Sequence, residues 1–161
     1  MRFALEDARF GEKMSENEIP LFAGDQTQPQ EEDLKWAFPD VPAGMRPLGG
    51  RVVVQLRRIK RKTAGKIILV EETKENEKWN NMIGKVVAVG PLAYKNRDTM
   101  QPWPEGSWAE IGDYVRVPKW GGDRWERPAP DEEDPVLFMT LNDHELIAAV
   151  TDNPLSFKAY V

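Results

Sequence analysis

Beyond Pro47 the chain is a succession of short apolar runs punctuated by glycine and proline. Val52-Val53-Val54 stand together, Val86-Val87-Ala88-Val89 follow Ile83, and Val136-Leu137-Phe138-Met139 lie near the end. Such runs, bounded by turn residues, read as strands at 51–57, 67–70, 83–89, 113–118, 136–140 and 146–150. No convincing long helix interrupts them. Residues 140–145 read as a capped single turn before the last strand. Short strands with Gly-Asp and Gly-Gly turns predict an all-β fold, a small, partly closed barrel that limits exposed sheet edges.

Residues 1–44 are different. They hold Pro20, Gly24, Gln26, Gln28, Pro29 and Gln30, with no sustained period of 3.6 or 2, and read as an arm rather than a domain. Within the arm, Glu31-Glu32-Asp33-Leu34-Lys35-Trp36-Ala37-Phe38 predicts one or two helical turns. Its acids sit at the positive end of the dipole, and Pro39 stops it. Trp36 and Phe38 are expected to dock, either on the barrel or on a neighbouring subunit.

Between the first strand and the strand starting at Ile83 lies a long polar connection, and connections of this length are usually functional or disordered. Its flanks carry Arg57, Arg58, Lys60, Arg61 and Lys62 on one side and Glu71, Glu72, Lys74, Glu75, Glu77 and Lys78 on the other. Both flanks are expected to stay in water, because charges are not buried unpaired. That leaves Gly65, Ile67, Ile68, Leu69 and Val70 at the tip as an apolar patch in search of a groove.

Several segments, taken in order, resemble a GroES-type co-chaperonin of the chaperonin-10 family. They are Arg46-Pro47-Leu48, Arg51-Val52-Val53-Val54, Ala64-Gly65-Lys66-Ile67-Ile68-Leu69, Gly84-Lys85-Val86-Val87-Ala88-Val89-Gly90, Ile111-Gly112-Asp113-Tyr114-Val115-Arg116-Val117, and Val136-Leu137-Phe138-Met139 with Asn142-Asp143-His144-Glu145-Leu146. The resemblance implies a GroES-like β-barrel at 46–151, with a mobile loop at about 58–80 and a roof hairpin at about 91–109. An N-terminal extension at 1–45 and a C-terminal tail at 152–161 flank it. It also implies a homo-oligomer, a heptameric ring that caps a GroEL-type chaperonin and encloses non-native client protein. The loop tip enters an apical groove of the chaperonin, and the chaperonin holds the ATP, so this chain needs no cofactor.

Some positions depart from the family pattern. Gly50 stands where the family usually has an acidic residue, and Lys66 replaces the second glycine of the loop motif. The connection holding Tyr94, Trp103 and Trp108 is long, and together with the arm it is more like the co-chaperonins of tailed bacteriophages. Its aromatics admit two readings, packing on the base of their own hairpin or contact between subunits around the roof opening. In either case the hairpin is expected to lie outside the barrel core. Trp120, Gly121, Gly122 and Trp125 read as a second elaborated loop, and Asp131-Glu132-Glu133-Asp134 as a solvated tip or, less simply, a cation site.

Composition narrows the chemistry. With 40% hydrophobic and 30% charged residues the chain reads as a soluble domain, and no apolar run approaches the ~20 residues that span a bilayer. Without an apolar leader after Met1, a cytoplasmic location is expected, the host's if the chain is phage-encoded. A net charge of −5 disfavours nucleic acid as a partner, although a single-stranded nucleic-acid binder on a small barrel is a competing reading. Zinc-dependent dehydrogenases carry a similar barrel, but this chain has no cysteine and one histidine, and no dinucleotide-binding glycine motif. His144 reads as a surface or capping residue. No metal site, catalytic residue or enzymatic activity is expected. The strongest alternative to a lid is a phage particle component that reuses the barrel for lattice contacts.

Overall fold

The computed structural model describes residues 31–59, 76, 78–131 and 134–158. Among the described residues six strands, all paired antiparallel, form one sheet: β1 (Arg51–Leu56), β2 (Ile83–Val89), β3 (Tyr114–Arg116), β4 (Asp123–Arg127), β5 (Val136–Asn142) and β6 (Ala148–Ala149). Their order across the sheet is β4-β5-β1-β2-β3-β6, so the sheet is open, and β4 and β6 form its two edges. One short helix, α1 (Glu31–Ala37), precedes it, and a 3-10 turn (Asp143–Glu145) leads into β6.

The strand at the centre of this order explains the uninterrupted valines. Every residue of β1 after Arg51 is buried. Val52, Val54 and Leu56 face a cluster with Val86, Val115, Val117, Leu137, Met139 and Leu141. Val53 faces the opposite side, with Val136, Phe138 and Ala129. The period of two thus feeds two cores, one on each face. Between Val53 and Val54 the register with β2 slips, from Val53 opposite Ala88 to Val54 opposite Val86. A slip of this kind bends and twists a strand, which helps a six-stranded sheet curl around its inner cluster.

The arm helix forms where the sequence places it, and Phe38 is docked on the chain's own sheet. Its ring lies 5.1 Å from that of Tyr114. Ala37, Phe38 and Ile83 make a third cluster that gathers Leu34, Trp36 and Val150 together with Leu155 and Phe157 from the C-terminal side. Residues 41–43 then run under the outer face, where Val41 and Ala43 cover the second cluster and the Trp125 indole donates to Ala43 O at 2.8 Å.

Three expectations need correction. The loop expected around Trp125 is strand β4, paired with β5 from Asp123 opposite Thr140 to Arg127 opposite Val136. Its sequence, Asp-Arg-Trp-Glu-Arg, has a single apolar residue, which stacks on Phe138 at 5.9 Å. The last strand is only two residues long, inside the expected 146–150, although the 3-10 turn before it, Asp143–Glu145, falls where a single turn is expected. The hairpin after Gly90 also does not stand apart from the core, since Ala93, Tyr94 and Ala109 are part of the inner cluster and Trp103 packs against it.

Candidate functional site

The tip residues Gly65, Ile67, Ile68, Leu69 and Val70 lie outside the described residues, as does the strand expected at 67–70. The structure does describe the socket from which this segment leaves and to which it returns. β1 and β2 are neighbours, so the two roots lie side by side, and Arg57 N donates to Ile83 O at 3.0 Å. Asn81, 1% exposed, ties the two roots together: its amide nitrogen donates to Arg57 O, and its amide oxygen accepts from Ile83 N at 3.1 Å.

The outgoing root is gripped from three directions. Arg57 Nη1 donates to Pro154 O at 2.8 Å, which brings the C-terminal tail against it. Arg58 N donates to Ala37 O at 2.9 Å, and the Arg58 guanidinium lies over the Trp36 ring at 4.7 Å. The same guanidinium makes a two-pronged pair with Asp131, at 3.0 and 3.3 Å. Arg58 therefore does not stay in water as its flanking position implied. Its side chain is 3% exposed, an arrangement tolerable because the charge is paired and hydrogen-bonded. Asp131 itself stays exposed, as a solvated tip requires, while its carboxylate holds Arg58; Glu132 and Glu133, beside it, lie outside the described residues.

The returning root is held in a similar way. Arg124 on β4 donates to Trp79 O at 2.8 Å and to Lys119 O at 3.2 Å, and burial lowers its pKa from the usual arginine value. Lys78 pairs with Glu126, and Val117 N donates to Met82 O at 2.8 Å. Replacing Asn81 with alanine removes both side-chain bonds that tie the roots. Each buried polar group left without a partner costs ~1–3 kcal/mol, so Asn81→Ala is expected to destabilise the domain by about 2–3 kcal/mol in urea denaturation. A loss below roughly 0.5 kcal/mol would show that the tie is not a structural one.

At the other end of the sheet the hairpin aromatics form a small stack. Trp103 and Trp108 lie nearly parallel at 6.2 Å, and Tyr94 meets Trp108 edge-on at 5.5 Å. Tyr94 is the only one of the three that is fully buried, and it adopts a left-handed backbone with φ 61°. The carboxylate of Asp143 holds that conformation by accepting from Tyr94 N at 2.8 Å. Burial, with smaller contributions from the charges of Asp143 and Asp113, pushes the Tyr94 phenol up to about 12, so it is neutral at physiological pH. Across the hairpin Lys95 pairs with Pro102.

His144 is largely exposed, with Nδ1 3.4 Å from Asp143 Oδ1, and among the described residues no group of His, Cys, Asp and Glu is placed to hold a metal ion. Also among the described residues, no helix is long and apolar enough to cross a membrane. The described residues form a small antiparallel β-domain in which the segment between β1 and β2 leaves and returns at neighbouring points.

Comparison with known proteins identifies the class. The family described as "Chaperonin 10 Kd subunit" matches residues 44–150, well over half the chain, and the chain belongs to this family. The chain is 30% identical over 107 residues to Co-chaperonin GroES 3 of Bradyrhizobium diazoefficiens, covering 66% of this chain and 89% of that protein. It is 28% identical over 106 residues to Co-chaperonin GroES of Lactobacillus delbrueckii subsp. bulgaricus, covering 66% of this chain and 98% of that protein.

Proposed function

We propose that this chain is the lid of an ATP-driven, GroEL-type chaperonin. In this reading a ring of copies, a heptamer as the family resemblance implies, caps the chaperonin and encloses a non-native client. Ile67, Ile68 and Leu69 enter an apolar groove of the partner, with Gly65 and Val70 shaping the tip. The protein works in the cytoplasm without catalysis or a cofactor of its own, and the nucleotide stays with the chaperonin. The observation that carries this reading is the family match, which runs continuously through both loop roots and the segment between them.

The energetics suit a reversible lid. Burying three branched aliphatic side chains contributes ~1.5–3 kcal/mol each, while ordering the segment costs ~1–2 kcal/mol per residue fixed. One contact is therefore weak. Several contacts linked through a ring gain strength by effective concentration, and a change in the partner can release them together. Two features fit self-assembly, since β4 and β6 each leave one side unpaired among the described residues and an edge of this kind is a site for a neighbouring copy. Tyr94, Trp103 and Trp108 are then placed in the hairpin that faces the roof opening. A phage particle role finds no similar support, because both relatives above are named as co-chaperonins.

Native mass spectrometry of the chain with a GroEL-type chaperonin tests this. A discrete ring of this chain, bound in the presence of ATP or ADP and released without nucleotide, is the expected result. Failure to associate under any nucleotide condition would overturn the reading.

A further inference from the structure

We infer that the base of the hairpin carries a binding site for a phosphate group, independent of the chaperonin-binding loop. A cavity of about 300 Å³ opens between the start of β1, the end of β5 and the hairpin. Three cations line it, Arg51, Lys95 and Arg97, together with Asn96 and Asn142. Lys95 and Arg97 stand two residues apart on the hairpin and Arg51 joins them from the start of β1, in a chain whose net charge is −5, so their grouping runs against the overall charge.

None of the three cations is neutralised among the described residues. No carboxylate lies within ion-pair distance of Arg51, Lys95 or Arg97. Lys95 Nζ donates only to Pro91 O, at 3.3 Å, which leaves further N–H groups for a ligand. Asp143 reaches the same corner, its Oδ1 3.8 Å from the position a Gly50 Cβ would take, and both its oxygens accept hydrogen bonds within the chain. Oδ2 accepts from Tyr94 N at 2.8 Å, and Oδ1 accepts from His144 N at 2.9 Å.

Gly50 is the residue that leaves the site open. A Cβ built on it would lie 3.5 Å from Arg97 Nη2. A carboxylate at this position would therefore sit on the Arg97 guanidinium and satisfy it from within the chain. With glycine there, the guanidinium is left facing the cavity. Two guanidiniums and an ammonium around one concavity suit the tetrahedral oxygens of a phosphate, since an arginine can offer two parallel N–H donors to it. The shared chemistry is the phosphate group, which free inorganic phosphate or a nucleotide would supply.

Isothermal titration calorimetry on the full chain, at constant ionic strength, with inorganic phosphate in one arm and ATP in the other tests the site. Saturable binding is expected in at least one arm. Binding of ATP alone identifies a nucleotide phosphate as the ligand, and equal binding in both arms identifies the phosphate group itself. Gly50→Asp and Arg97→Gln should each weaken binding at least about tenfold. Arg97→Gln should leave the thermal unfolding midpoint nearly unchanged, since Arg97 is exposed, whereas Gly50→Asp should lower it modestly without unfolding the domain, since the new carboxylate also faces Asp143 Oδ1. No saturation at millimolar concentrations in either arm would overturn the proposal, as would binding that neither substitution weakens in a folded protein.

Discussion

Ile68→Asp is expected to abolish nucleotide-dependent binding to the chaperonin while leaving the unfolding midpoint of the domain almost unchanged. The loss at one loop has two parts. An apolar contact worth ~1.5–3 kcal/mol disappears, and a carboxylate has to be stripped of water to enter an apolar groove, which costs several kcal/mol more. Because a ring repeats the defect at every subunit, avidity multiplies it instead of hiding it. Stability should be spared because the residues described on either side of this segment already fill the clusters on both faces of the sheet. Co-sedimentation with the chaperonin and differential scanning calorimetry read the two quantities separately. Retained binding would remove Ile68 from the interface, and a large fall in the midpoint would give it a role in the fold instead.

The largest effect on stability is expected from Gly90→Ala, about 3 kcal/mol. A Cβ at residue 90 would meet Gly49 O at 2.3 Å and Arg51 O at 2.8 Å, both backbone atoms with no rotamer to change. The same carbonyls are already bonded, Gly90 N to Arg51 O at 2.8 Å and Leu92 N to Gly49 O at 3.0 Å. Moving them apart breaks the end of β1 away from the end of β2, which places the cost at the upper end of the ~1–3 kcal/mol typical of overpacking. A fall in Tm of roughly 10 °C follows for a domain of this size. Gly106→Ala is the control. Its φ of 78° is unfavourable for alanine, but nothing lies within 4 Å, so its cost should stay near ~1–2 kcal/mol. A loss at Gly90 no larger than that at Gly106 would show that the two carbonyls move aside and that the close approach does not set the requirement.

The parts of this molecule legible in its sequence are those where neighbouring residues agree with each other. The consecutive valines of β1 and β2 mark the middle of the sheet, and Pro39 follows directly on the short α1. β4 was not legible, because an edge strand needs one buried side chain, and Trp125 among charged neighbours gives no alternating pattern. The burial of Arg58 was hidden for another reason. Its partners Trp36 and Asp131 lie 22 and 73 residues away, and charge alone argues for exposure until they are found. Tyr94 looked like hairpin decoration, and its place in the core depends on a left-handed turn held by Asp143, which only the fold brings near. Asn81 had no local signal at all. Of the candidate site, the family resemblance supplied the apolar tip, and the structure supplied the socket beneath it.

That socket also separates two properties that are usually coupled in a binding loop. Arg57 and Ile83 are bonded to each other, so the chain between them starts and finishes at one point on the barrel. For a tethered segment of this kind, doubling the contour length raises the closure cost by only ~0.6 kcal/mol. Span can therefore drift over evolution while the barrel that carries it stays nearly unchanged. Under the proposed function, insertions and deletions between the two roots provide a simple way to fit one domain to partner rings of different diameter.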